Sequence, residues 1–496
     1  MTKVSNNQIH KLDLKIVPIM ITLLLGGFIS LLNETILNVA FPKIMSEMHI
    51  GAGTVQWLAT GYMLVVGILV PITAFLIHTF TTKQLYNTAI VLFLIGTLSA
   101  GFSTTFPMLL ISRMFQACGT GMLVPIMMNT ILVINPPEKH GAALGLGLFV
   151  ILFAPAIGPT IAGLILNFFN WNGLFFCLVP FALLAIVLGS IYLKNVSTIT
   201  KPKIDALSII LSTLGFGGII YGISASESAG LFNSQVLIAS GIGLASVVLF
   251  VWRQLGLKQP MLEVRAFKYP MFAIGVLLIM INMMIWFSLN IILPTFMQNA
   301  LGVSSVVAGL ALLPGGLING IFSPLTGRMY DKLGAKILLI AGFVFMGIPV
   351  ACLACISINT SLALIIALHC VFCLGGAFIM APAQTNSLKQ LPPQNAADGV
   401  AIINTSLQIA AAMGSSLFIG LMEAGQRNYL LKVTHFTVME DRLASLFGMK
   451  YSLLVAIGFI LVGLILAVFV KSNQSISNQQ VSKSEENQCL ESETSY

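Results

Sequence analysis

PLTGRMYDKLGAK, residues 324–336, aligns without a gap on PITAFLIHTFTTK, residues 71–83. Pro71 pairs with Pro324, Ala74 with Gly327, His78 with Asp331 and Lys83 with Lys336, all at an offset of 253. A second match lies further along. Pro125 and Asn129 fall on Pro382 and Asn386 at an offset of 257, and the Pro136-Pro137 turn falls on Pro392-Pro393 at 256. Two independent matches at nearly one offset indicate duplicated halves.

Both copies stand between long apolar runs. Such runs fall at 16–40, 54–77, 85–104, 107–134, 140–166, 173–193, 206–224, 235–253, 270–296, 304–326, 336–357, 360–383, 397–421 and 449–470. Each is near the roughly 20 residues that a membrane-spanning helix needs. Charged residues make up 8% of the chain and hydrophobic ones 57%, whereas a soluble domain carries about 25% charged residues. The chain therefore reads as an all-α polytopic membrane protein with fourteen spans.

With the N-terminus in the cytoplasm, eighteen of the 24 Lys and Arg residues fall on cytoplasmic segments, five fall outside, and Arg113 lies within a span. That asymmetry supports cytoplasmic termini at both ends. Spans 7 and 8 fall between the repeats, giving six plus two plus six. The expected organisation is a cytoplasmic N-terminus (1–15), an N-terminal six-helix bundle (16–193), a linker with two extra helices (194–269), a C-terminal six-helix bundle (270–470) and a disordered cytoplasmic tail (471–496). The first span is too long for a signal-peptide core and lacks a small-residue cleavage site, so it is expected to stay as an anchor. The only sizeable external loop is expected at 422–448.

Other classes are disfavoured by the same residues. The net charge of +8 comes from basic residues scattered over short loops, with no aromatic-interleaved patch for nucleic acid. No phosphate-binding loop, nucleotide motif or nucleophile triad is present, which speaks against ATP drive and against an enzyme. Cys352-x2-Cys355 and Cys370-x2-Cys373, with His369 alongside, approach a zinc spacing. Both pairs lie within predicted spans, so they read as soft packing residues and no metal is expected.

GRMYDKLGAK (327–336) resembles the loop signature G-x-x-x-D-x-x-G-x-(R/K) of the major facilitator superfamily. AGLALLPGG (308–316), LPTFMQNALG (293–302) and ISRMFQACGTG (111–121) are similar to segments of its drug exporters. APAIGPTIAG (154–163) resembles the fifth-helix antiporter signature, with Gly158, Pro159 and Gly163 matching and Ala154 and Ala162 in place of glycines. LNETILNVAFP (32–42) resembles the first-helix signature of the fourteen-helix drug:proton antiporter branch, whose acid falls on Asn33, one residue before Glu34 and about 100° round the helix. The resemblance spans positions 16–470. It implies two six-helix bundles plus two inserted helices, alternating access, and a fifth helix (Pro155, Gly158, Pro159, Gly163) that seals the cytoplasmic route and favours antiport.

Glu34 itself lies well inside the first span. A carboxylate at mid-membrane costs on the order of 3 kcal/mol to insert, so it persists when it pairs, binds a cation or carries a proton. Ser30, Asn38 and Gly27 share its helical face, a polar stripe expected to line an interior. Arg113 lies about six residues from the outer end of span 4, as Glu34 does in span 1, which places the two at about the same depth. Glu34, Arg113 and Asn33 are thus the expected proton-coupling residues, with a structural ion pair as the bland alternative. Gly327, Arg328, Asp331, Gly334 and Lys336 are expected to form a cytoplasmic gate, and Asp398 is a further cytoplasmic partner. The expected substrate cavity draws on Asn38, Gln56, Tyr62, Gln116, Asn282, Trp286, Asn290, Asn404 and Gln408, residues whose stacking and soft contacts suit amphiphilic cations.

The function expected is a proton-coupled antiporter exporting hydrophobic or cationic compounds. It would be energised by the proton gradient without a cofactor, surrounded by the lipid bilayer of a bacterial cytoplasmic membrane, and monomeric. An exporter of one metabolite or lipid-like molecule, a symport importer and a non-transporting membrane sensor stay open as alternatives.

Overall fold

The computed structural model describes residues 16–470 except 56, 137–138, 167, 197–198, 200–204, 230–232, 258–259, 393–394 and 434–436. The segments 1–15 and 471–496, expected as cytoplasmic termini, lie outside the described residues. Every regular element among the described residues is helical. The long apolar runs become α1 (Ile16–Ile36), α2 (Trp57–Thr79), α3 (Thr82–Gly101), α4 (Phe106–Ile134), α5 (His140–Leu166), α6 (Asn172–Tyr192), α7 (Ala206–Ala229), α8 (Ser234–Gly256), α9 (Pro270–Asn299), α10 (Ser305–Leu333), α11 (Ala335–Cys355), α12 (Leu362–Lys389), α13 (Ala396–Leu430) and α14 (Val438–Phe469). Thirteen are long and apolar enough to cross a bilayer as single helices, and α5 makes the fourteenth as two segments bent by 42°.

Two expectations need correction. The external loop placed at 422–448 is mostly helix: α13 continues to Leu430 and α14 begins at Val438. Thr437 starts α14 by accepting the Glu440 N–H, with Glu440 and Asp441 in the first turn, where carboxylates suit the helix dipole. The first span is also shorter. Its helix stops at Ile36, a 3-10 turn covers Leu37–Ala40, and a separate helix, Phe41–Met48, lies beyond.

Helix neighbours repeat between the halves. α1 packs on α5 as α9 packs on α13, α3 on α4 as α11 on α12, α2 on α4 as α10 on α12, and α3 on α6 as α11 on α14. The backbones meet where side chains vanish. A Cβ at Gly119 would strike the Ala89 carbonyl and Phe93 across α3–α4, and one at Gly375 would strike the Gly342 carbonyl across α11–α12. Lipid provides no hydrophobic drive between helices, so this close approach is what holds such pairs.

The inserted helices pair with each other, and α7 also packs on α2 and α13, thereby touching both halves. Trp57 stacks on Tyr221 (5.8 Å between centroids) where α2 meets α7. At the cytoplasmic end of the inserted pair, Arg253 grips Asp205 with two hydrogen bonds of 2.7 and 2.8 Å.

Candidate functional site

Arg113 is fully buried in the outer part of α4. Its guanidinium donates to the Asn33 carbonyl at 3.0 Å, to Gln116 Oε1 at 3.1 Å and, more weakly, to the Leu58 carbonyl at 3.5 Å. It also lies 4.1 Å from the centre of the Tyr62 ring, a cation–π contact. Gln116 is held in turn by Thr97, at 2.9 Å. α1, α2, α3 and α4 therefore all contribute to one polar knot, and the reach from Arg113 to Asn33 places α1 and α4 at matching depth.

Glu34 is half-buried beside this knot. It attracts Arg113 through space, yet no ion pair within 4 Å joins them among the described residues; the arginine is anchored on carbonyls and an amide instead. Asn33 is fully buried, and its amide faces the Tyr62 hydroxyl without closing a hydrogen bond of normal geometry. Tyr62 is bonded to Thr120 at 2.6 Å and donates to the Ser30 carbonyl at 3.2 Å. Tyr62 and Gln116 thus act inside the N-terminal half as supports for Arg113. An apolar cluster that includes Ile36, Leu37, Leu58, Leu109, Trp171 and Phe175 packs at the outer ends of these helices. Trp171 donates to Glu47 at 2.7 Å and ties Phe41–Met48 to it.

The bend in α5 follows from its prolines. Pro159 has no N–H to offer the carbonyl four residues back, that of Pro155. Thr35 Oγ1 supplies the missing donor, at 3.0 Å. Gly158 is the contact point, since a Cβ there would collide with Thr35 Oγ1 and stand 3.4 Å from the Leu32 carbonyl and the Ile36 N–H. Gly163 faces open space. The antiporter-like segment is therefore keyed directly to the end of α1 that carries Glu34. Thr35 was not singled out from sequence; the signal was the hydroxyl beside the acid together with the carbonyl that Pro159 leaves without a donor.

The cytoplasmic ends carry two latches. Asp331, at the end of α10, accepts the Gly141 and Ala142 N–H groups at 3.2 Å each and stands 3.7 Å from Lys389 of α12. The free first-turn N–H groups of α5 are a natural anion site. Beneath it, a Cβ on Gly327 would strike the Gly141 carbonyl, so backbone meets backbone. Gly334 turns the chain into α11 at φ 77°, a left-handed conformation that glycine adopts without strain. Arg328 and Lys336 are exposed.

In the second latch His78 of α2 lies 3.5 Å from Asp398 in the first turn of α13. His78 is the repeat partner of Asp331 at 253, and Asp398 is the partner of Gly141 at 257, the offset that relates Pro125 to Pro382. The two latches stand at equivalent places with the anion on opposite members of the pair: anion on α10 and donors on α5, imidazole on α2 and anion on α13.

The remaining cavity candidates divide. Asn282, Trp286 and Asn404 are buried, Asn290 and Gln408 half-buried. Asn404 and Asn290 each donate to the carbonyl four residues back, at 2.9 and 2.7 Å. Gln56 and the side chains of Asn38 and Pro159 lie outside the described residues. His369 and Cys373 touch at 3.4 Å in α12, while Cys352 and Cys355 are exposed on α11. Among the described residues no three His, Cys, Asp or Glu side chains gather as a metal site.

A family model described as Major Facilitator Superfamily matches residues 23–415. The chain is 47% identical over 462 residues to the lincomycin resistance protein LmrB of Bacillus subtilis (strain 168), covering 92% of this chain and 96% of that protein. It is 27% identical over 408 residues to the multidrug export protein EmrB of Escherichia coli (strain K12), covering 81% and 79%. Among solved structures, the human organic anion transporter MFSD10 superposes with a TM-score of 0.64 at 11% identity, covering 91% of this chain and 99% of that one. The proton:xylose symporter XylE does so with 0.60 at 16%, covering 92% and 96%.

Proposed function

Since this chain belongs to the Major Facilitator Superfamily, we propose that it exports hydrophobic or amphiphilic drugs in exchange for protons, by alternating access of its two six-helix halves. The lincomycin-resistance and multidrug-export relatives support drug efflux as the activity. Proton antiport rests on one observation: Glu34, in the last turn of α1, lies beside the knot of Arg113, and Arg113 is the only Asp, Glu, Lys or Arg residue of α1–α6 away from the helix ends. An arginine buried so deep, with an acid beside it, is retained for function.

The conformation fits an outward-facing state, with the cytoplasmic ends held by Asp331 on α5 and by His78 on Asp398. In our reading Glu34 takes a proton from the outer side. Protonation removes its attraction to Arg113, which stays anchored on Asn33, Gln116 and Leu58. Thr35 then passes the change in α1 to the bend of α5, and the latches release. Drug enters from the cytoplasmic side once Glu34 has lost its proton inward, and its binding drives the return. The chain works as a monomer in the bacterial cytoplasmic membrane, powered by the proton gradient alone.

Everted vesicles test this. Adding lincomycin or tetraphenylphosphonium should dissipate a preformed proton gradient with the wild-type protein, and Glu34→Gln at equal membrane level should abolish the response. Full exchange by Glu34→Gln rejects Glu34 as the proton carrier.

A further inference from the structure

The C-terminal half holds a second polar group that the proton path does not use. Asn282 and Trp286 lie one turn apart at the middle of α9, and Asn319 lies at the middle of α10. All three are more than nine-tenths buried, at 3%, 8% and 1% exposure. Asn282 Oδ1, Trp286 Nε1 and Asn319 Oδ1 have no hydrogen-bond partner among the described residues. They surround one glycine of α12: a Cβ at Gly376 would stand 3.1 Å from Asn319 Nδ2, 3.7 Å from Asn282 Oδ1 and 3.7 Å from Trp286 Cδ1. Met380, one turn further along α12, lies 3.7 Å from Asn282 Nδ2 through its sulfur.

This group also lies beside the seam between the halves. Gly320, next to Asn319, faces Phe149 and Phe153 of α5, with 3.1 Å from its Cβ position to the Phe149 ring. Substrate sites of transporters built from repeats lie at such a midplane seam. Unpaired indole N–H and amide carbonyl groups in a membrane interior are costly unless something completes them. They offer one donor and two acceptors and no charge. α9 contains no Asp, Glu, Lys or Arg, and those of α10 and α12 stand at their cytoplasmic ends.

We infer that Asn282, Trp286 and Asn319 form a substrate subsite for a neutral hydrogen-bonding group, an amide or hydroxyl, with Gly376 leaving room for it. The inference rests on the export reading and narrows its substrate class: compounds bearing such groups are selected here by hydrogen bonds. A site built to pair with a polar group discriminates strongly against analogues lacking it. Cationic compounds without one are handled independently of these three residues.

The test compares lincomycin, rich in hydroxyls and bearing an amide, with tetraphenylphosphonium, which has neither. Wild type, Trp286→Phe, Asn319→Leu and Gly376→Ala are assayed in everted vesicles at matched membrane levels for drug-linked proton release. Trp286→Phe keeps the ring volume and removes only the N–H, and Gly376→Ala adds one methyl, so neither depends on Asn319→Leu folding. Trp286→Phe and Asn319→Leu should each lower lincomycin exchange about tenfold, the effect of losing one hydrogen bond of ~1.4 kcal/mol, Gly376→Ala should lower it by filling the space, and all three should leave tetraphenylphosphonium exchange within about twofold. Equal loss for both compounds marks a structural role and overturns the subsite while export stands. So does an unchanged response to both, which marks three groups satisfied by water alone, and so does wild-type exchange of tetraphenylphosphonium without lincomycin. A wild type inactive with both overturns the export reading and the subsite with it.

Discussion

Arg113 shows how little a residue's type reveals about its partners. From sequence it paired with Glu34 at equal depth, and the depth agrees with its bond to the Asn33 carbonyl. Its actual ligands are two backbone carbonyls, an amide and an aromatic face, of which only the amide of Gln116, three residues on in the same helix, is within reach of a spacing argument. The planar fork matters for this set, because lysine offers a point charge on a single nitrogen. Arg113→Lys should therefore lower drug-linked proton release about tenfold or more, equivalent to at least one lost charge-assisted bond of ~1.4 kcal/mol. Protein levels should stay near wild type, and an unimpaired lysine variant would show that the fork is immaterial. Asn319 escaped sequence reading for a related reason. A single asparagine in an apolar run signals nothing until neighbouring helices bring Asn282 and Gly376 beside it.

The elements themselves were largely legible, because each span announces itself by about 20 apolar residues and each break by proline or glycine. Their ends were not. α13 and α14 run past the apolar stretch into polar sequence, where capping and helix propensity rather than hydropathy decide. A bend in α5 follows from Pro159 alone, but its repair by a hydroxyl from another helix needs the packed structure. Thr35→Val removes that hydroxyl at constant shape and leaves the Pro155 carbonyl unpaired, a penalty of about 1–3 kcal/mol. A lower melting temperature in detergent and weaker coupling of drug to proton flux should follow; an unchanged melting temperature would dismiss the bond as incidental. In the inserted pair, Arg253 was counted only as a cytoplasmic charge. Its two hydrogen bonds hold the Asp205 carboxyl down to about 2, from the ordinary 3.8. A depressed acid stabilises the fold above its unfolded value and loses that contribution as pH falls through the folded one. The α7–α8 clasp should thus stay shut through the physiological range and loosen only between about pH 4 and pH 2, readable as acid-dependent proteolysis after residue 194 that Asp205→Asn shows already at pH 7.

At the scale of the molecule, the repeat carried most of the architecture, and it also explains the latches once both are seen. The sequence marked Asp331 through its motif, whereas His78 entered only as its repeat partner. Only the fold brings His78 to Asp398 and reveals a contact at the equivalent place, with the carboxylate now on the other helix of the pair. Releasing either latch should favour the inward-facing state. Asp331→Asn forfeits a charged partner for two N–H groups and a lysine, worth about 1.5–3 kcal/mol, enough to shift the population tenfold or more. Spin labels on the cytoplasmic ends of α5 and α10 should report longer distances in that variant, and an unaltered distance distribution would deny the latch its role. Between those charges the halves touch through Gly141 and Gly327, main chain on main chain. Such a seam has no side chains that must find new rotamers when it parts, and no knobs that must be unthreaded. Parting at that point is resisted chiefly by the electrostatics of the two latches, so the turnover rate of this protein should respond to cytoplasmic salt more than to the bulk of its gate.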